Sequence, residues 1–184
     1  IEAGTYMIVA AATRGRIAIK NIKPEIINTE TQILKKIGVK IIEKKNKITV
    51  IGAKKLKSIN LNTSPYPGFP TDLQAQLMVL MCQAKGRSII KENIFENRFM
   101  HVPELNRMGA DIIVKGRRAI INGNKKLNGA ELMATDLRAS VCLVLAALVS
   151  TSKTVINRIY HLDRGYEKIE KKLSKCGAQI KRLQ

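Results

Sequence analysis

The sequence predicts an α/β domain of three repeated units, with helices inside and sheets outside. Three observations predict it. The form Leu-x-basic-x-Gly-small occurs three times and closes on Gly38, Gly109 and Gly177, a spacing of about 70 residues that marks an internal repeat. Each copy ends a helical pattern and leads into a β-rich segment. Each unit also opens with an earlier helical stretch that is apolar on nearly every face, and such a helix has to be buried on all sides.

In chain order, the first unit opens with the helix "EAGTYMIVAAAT", passes through the strand "GRIAIKN", and reaches the amphipathic helix "EIINTETQILKKIG". Gly38 is the expected left-handed C-terminal cap, where the absence of a Cβ lets the chain leave the helix without a clash. "VKIIEKKNKITVIG" then reads as a hairpin with a polar turn at Lys45 to Lys47. Residues 54–70, "KKLKSINLNTSPYPGFP", are the longest irregular stretch. The second unit repeats the order with "DLQAQLMVLMCQA", "GRSIIKEN", a helix closed by Gly109, and the hairpin "ADIIVKGRRAIING", turning at Gly116 to Arg118. The third has "DLRASVCLVLAALV", the strand "KTVINRI", the helix "DRGYEKIEKKLSKCG" and a terminal strand, "AQIKRLQ". The units run about 1–62, 63–128 and 129–184, each too small to bury its own faces, so the reading takes residues 1–184 as one domain. Strands that alternate apolar with charged residues suit sheets with one wet face.

Composition narrows the functional classes. A chain of 184 residues, 45% hydrophobic, is long enough for a real core. The longest apolar run, Val141 to Val149, is too short to span a bilayer, and the start "IEAGTYMIVA" lacks a basic leader, so the expected location is cytoplasmic, with no membrane partner. Ile1, in place of methionine, falls in the approach to a helix, and the chain is expected to be a piece of a longer polypeptide. The formal net charge of +19 raises the alternative of a basic nucleic-acid-binding domain. Against it, aromatics make up only 4% with no tryptophan, which leaves few stacking platforms for bases. Abundant lysine, isoleucine and asparagine is also what A+T-rich codons produce. Cys82, Cys142 and Cys176 lack metal-ligand spacing and read as reduced core thiols. His101 and His161 have no glutamate or cysteine at metal spacing, so no metal is expected, and His161 reads as a packed, neutral imidazole.

Candidate functional residues lie where the repeats differ. In "PGFPTDLQAQ", Thr71 suits a helix N-cap and Asp72 the first turn. Two readings stay open there: a capping acid, or a carboxylate at the lip of a site for anionic ligands. "MATDLRAS" repeats the arrangement with Thr135 and Asp136, then adds Arg138, a cation in a first turn where the helix dipole disfavours it. A ligand anion or a nearby carboxylate would compensate. Arg98 and Arg164 each follow an Ile-aromatic pair in the second and third units, and the first unit has no counterpart. A planar guanidinium suits phosphate and carboxylate.

Four strings, "PGFPTDLQAQ", "IFENRFMHVPEL", "MATDLRAS" and "RIYHLDRGYEKIE", resemble in order the C-terminal part of the UDP-N-acetylglucosamine 1-carboxyvinyltransferase family. The similarity runs from Ile1 to Gln184. The resemblance implies the enolpyruvyl transferase fold, an inside-out α/β barrel-type domain, paired in that family with a second domain across a cleft. It implies transfer of the enolpyruvyl group of phosphoenolpyruvate to the 3-hydroxyl of UDP-N-acetylglucosamine with loss of phosphate, an early step of peptidoglycan synthesis, without a cofactor. Carried over position by position, Asp72 is the candidate base facing the sugar hydroxyl, and the backbone at Ile94 helps to hold the uridine nucleotide. Arg98, Asp136 and Arg138 match cleft residues, and Arg164 is placed on the phosphoenolpyruvate anion. The family's proton-donating cysteine belongs to the other domain, so Cys82, Cys142 and Cys176 do not take that role. Tyr66 departs from the histidine of many relatives. The implied partners are the two substrates and the N-terminal domain of the same polypeptide, with no nucleic acid. The intact enzyme is expected to be monomeric, and this chain alone inactive.

Overall fold

A computed structural model describes residues 1–183. The first unit comprises α1 (Glu2–Ala12), β1 (Arg16–Lys20), α2 (Asn28–Ile37), β2 (Lys40–Lys44) and β3 (Lys47–Ile51). The second starts ahead of the expected residue 63 and comprises β4 (Asn60–Asn62), α3 (Gln74–Gln83), β5 (Arg87–Lys91), α4 (Val102–Arg107), β6 (Asp111–Lys115) and β7 (Arg118–Asn122). The third comprises β8 (Glu131–Met133), α5 (Leu137–Leu148), β9 (Val155–Asn157) and α6 (Ile169–Lys175). Short 3-10 turns cover Pro24–Ile27, Thr71–Leu73 and Ile159–Arg164.

The apolar helices are central, as their composition requires. In α3 every residue from Gln74 to Cys82 is buried, and α1 and α5 are buried over most of their length. All three contribute to one continuous core. The sheets lie outside them, in orders β1-β3-β2, β4-β5-β7-β6 and β8-β9. Strands β5 and β7 alternate buried and more exposed positions, the pattern of a sheet with one face on the core. The repeat glycines do what their position demands: Gly38, Gly109 and Gly177 have φ of 107°, 90° and 96°.

Several expectations change. The stretch 54–70 contains β4, which pairs in parallel with β5, and β8 pairs in parallel with β9 in the same way. Each central helix of the last two units is therefore the crossover of a βαβ unit. A three-residue "Asn-Leu-Asn" strand carries no alternation signal; its pairing is helped by the Asn60 side chain, which accepts a hydrogen bond from the Ile89 N–H at 2.9 Å. Residues 178–183 form no strand. They are tied back instead: Arg182 donates to both carboxylate oxygens of Asp163, at 2.9 and 2.6 Å, while Ala178 and Ile180 pack on the core. Residue 184 lies outside the described residues. Cys82 and Cys142 are buried, but Cys176 is exposed, because it follows α6 on the wet side of an amphipathic helix. His161 is not buried: it lies half-exposed against Tyr160, ring centroids 4.2 Å apart, and the packed imidazole is His101. No helix among the described residues is long and apolar enough to cross a membrane.

Candidate active site

Asp72 stands in the 3-10 turn that leads into α3, and neither it nor Thr71 caps the helix. The Thr71 hydroxyl is taken by a stronger acceptor, donating to Glu92 Oε2 at 2.8 Å. The Asp72 carboxylate turns to α5. Arg138 donates to its Oδ1 from Nε at 2.6 Å, with Nη2 of the same guanidinium at 2.5 Å, and Arg98 Nη1 lies 3.8 Å from that oxygen. The first-turn cation of α5 thus has its compensating carboxylate, 66 residues away in sequence. Among the described residues no hydrogen bond reaches Asp72 Oδ2.

Asp136 has a different task although it begins the corresponding helix. It is itself the N-cap of α5, its side chain accepting from the N–H groups of Arg138 at 2.8 Å and Ala139 at 3.2 Å. The predicted cap, Thr135, is one residue early; its hydroxyl donates to Asp136 at 3.4 Å. Arg98 comes from the loop after β5 and lies 4.2 Å over the Phe95 ring, which fixes its plane. Burial, and then the neighbouring Arg138, hold the Arg98 guanidinium below its ordinary value, opposed by Asp72, Glu92 and Asp136. Two cations side by side in a partly dry recess favour the arrival of an anion.

Arg98, Asp136 and Arg138 line one pocket of about 210 Å³ together with Gln74, Asn97 and His101. Four predicted residues, Asp72, Arg98, Asp136 and Arg138, are therefore brought together from three separate segments. Arg164 is not among the pocket's lining residues. It ends the 3-10 turn that packs on α5, exposed and without an ion pair among the described residues. The approach there is close: a Cβ on Gly165 would fall 2.9 Å from Leu137, the residue between Asp136 and Arg138. Ile94 N–H is engaged within the chain, donating to Glu92 Oε1 at 2.8 Å. Tyr66 is 82% exposed.

Glu92 and the orphaned imidazole of His101 were not singled out as site residues from the sequence. For Glu92 the signal was present. Ser88, Ile90 and Glu92 alternate along one face of β5 and its continuation, and at 0%, 0% and 1% exposure that face is the buried one.

A model of the EPSP synthase family, 3-phosphoshikimate 1-carboxyvinyltransferase, matches residues 1–173. The chain belongs to the EPSP synthase family. Within that family it is 68% identical over 183 residues to the UDP-N-acetylglucosamine 1-carboxyvinyltransferase of Pelagibacter ubique (strain HTCC1062), and 59% identical over 184 residues to that of Geotalea daltonii. Each match covers 100% of this chain and 44% of the relative, so the chain spans less than half the length of these EPSP synthase family members. Among solved structures it resembles the enolpyruvyl transferase NikO from Streptomyces tendae, with a TM-score of 0.88 and 29% identity over 98% of this chain and 43% of that one. An EPSP synthase from Acinetobacter baumannii shares the fold, with a TM-score of 0.78 at 19% identity, over 99% of this chain and 46% of that one. The enolpyruvyl transferase fold expected from the four sequence strings is the fold of this family.

Proposed function

We propose that this chain forms one half of the active-site cleft of an enzyme that transfers the enolpyruvyl group of phosphoenolpyruvate to the 3-hydroxyl of UDP-N-acetylglucosamine and releases phosphate. The observation that carries the reading is the state of Asp72. One carboxylate oxygen is held by Arg138 and faces Arg98, and the other is left without a protein donor among the described residues. A carboxylate fixed in this way is oriented to accept a proton from a substrate hydroxyl. As that proton leaves, the sugar oxygen bonds to C2 of phosphoenolpyruvate while C3 takes up a proton from an acid on the facing domain. The tetrahedral ketal then loses a proton from C3 and expels phosphate, which restores the double bond. Arg98 and Arg138 stabilise the carboxylate and phosphate charge through these steps, and Arg164, exposed beside the start of α5, meets the phosphoenolpyruvate anion. The Ile94 backbone contributes to the nucleotide site. In this reading Asp136 acts through Arg138, whose first turn it caps. The enzyme works in the cytoplasm as a monomer and supplies a peptidoglycan precursor.

The test is Asp72→Asn in the full-length polypeptide, assayed by phosphate release from phosphoenolpyruvate in the presence of UDP-N-acetylglucosamine. Turnover is expected to fall by about 10²-fold or more, the scale of a lost general base. Stability is expected to change by no more than about 1 kcal/mol, because the carboxylate is partly exposed and caps nothing. Near-normal turnover would remove Asp72 from the chemistry and the reading with it.

A further inference from the structure

Glu92 is the one fully buried acid among the described residues, at 1% exposure, and no arginine or lysine pairs with it there. Its two oxygens face different parts of the site. Oε2 accepts from the hydroxyl of Thr71, the residue before Asp72, at 2.8 Å. Oε1 accepts from the Thr63 hydroxyl at 2.8 Å, the Ile94 N–H at 2.8 Å and the Phe95 N–H at 3.2 Å. Thr63 closes the arrangement by accepting from the Asn93 N–H at 2.9 Å. One side chain thus joins the end of β4, the turn that bears Asp72, and the loop that runs from Ile94 to Arg98. A buried carboxylate held only by neutral donors is costly, and a fold that needed nothing but packing would place an apolar residue there. What the carboxylate offers, and an amide does not, is acceptor capacity on both ends and a negative charge that acts on Arg98.

We propose that Glu92 is a positioning residue for the reaction, its Oε2 arm setting Asp72 through Thr71 and its Oε1 arm setting the backbone at Ile94. The inference rests on the proposed function and adds to it a division of labour: the first arm governs turnover, and the second governs nucleotide binding.

The experiment compares Glu92→Gln, Thr71→Val, the double variant and Asp72→Asn in the full-length enzyme, with kcat, the KM for UDP-N-acetylglucosamine and the melting temperature measured for each. In Glu92→Gln the remaining oxygen still meets the Ile94 and Phe95 N–H groups, but the amide turns a donor toward Thr71. Its kcat is expected to fall about tenfold, the scale of a displaced catalytic group, with KM changed less than about twofold. Thr71→Val is expected to lose kcat alone and to a similar degree. The double variant is expected to lose no more than either single one, because both remove the same arm. Glu92→Ala, where it folds, raises KM as well. The proposal is overturned if Glu92→Gln and Thr71→Val keep normal kcat while Asp72→Asn is inactive, if their losses multiply in the double variant, or if only the melting temperature moves. Full turnover by Asp72→Asn would instead sink the functional reading itself, and the role of Glu92 with it.

Discussion

His101 lines the arginine pocket with 3% of its surface exposed, and its Nε2 has no hydrogen-bond partner among the described residues. Burial pushes the imidazole down to about 4 from its ordinary 6.5, against the pull of the Asp136 charge. Above pH 6.5 the ring is neutral in both folded and unfolded chains and contributes no pH dependence. Between about pH 6.5 and 4 the unfolded chain takes up a proton that the folded one refuses, so stability falls with falling pH, by up to about 3 kcal/mol, and levels off below. In His101→Gln this acid limb should be missing, as urea unfolding of the full-length protein at pH 7.5, 5.5 and 4.5 will show. At the residue scale the sequence was legible where charge conflicts with position: Arg138 in a first turn called for a ligand anion or a nearby carboxylate, and Asp72 supplies the latter. It was illegible for Asp72 itself. A capping acid and an acid that reaches for a distant guanidinium need the same residue in the same turn, and only the fold decides between them.

The helix ends show what a repeat fixes at the level of elements. Gly109 follows α4 with φ of 90°, a backbone that an L-residue adopts only under strain, while the space for a Cβ is ordinary, the nearest atom 3.5 Å away. Gly109→Ala should therefore cost about 1–2 kcal/mol through conformation and not through collision. Chemical denaturation of the full-length protein measures this, and the midpoint alone should move, with the slope unchanged. The long helices and both hairpins could be read because composition, caps and alternation agreed over many residues. β4 and β8 could not, since three residues are too few for a period and their pairing is settled by the neighbouring strand. The terminal segment fails for the opposite reason: "Ala-Gln-Ile-Lys" alternates like a strand, yet the next residue, Arg182, satisfies its charge on Asp163 and the backbone forms no ladder.

Across the molecule, a small polar network lies within the apolar centre. Thr5 Oγ1 on α1 and the Tyr166 hydroxyl, just before α6, are 2.8 Å apart, and Gln76 Nε2 on α3 donates to Thr5 at 3.2 Å and to the Asp72 carbonyl at 2.9 Å. Residues of all three units are joined there, and Gln76 ties them to the backbone of Asp72. Tyr166→Phe keeps the ring and removes one buried partner, so a loss of about 1–2 kcal/mol is expected in equilibrium unfolding, well short of the loss from Tyr166→Ala. The same long reach bears on how the chain matures. The contact of Asp72 with Arg138 spans 66 residues of sequence, and the entropy of so distant a closure has to be paid before the contact rewards it. A nascent or partly assembled chain carries its charges scattered and has no recess to offer, so an anion that fits between Arg98 and Arg138 binds folded molecules only. By mass action, whatever anion fills the recess tilts the population toward the complete fold.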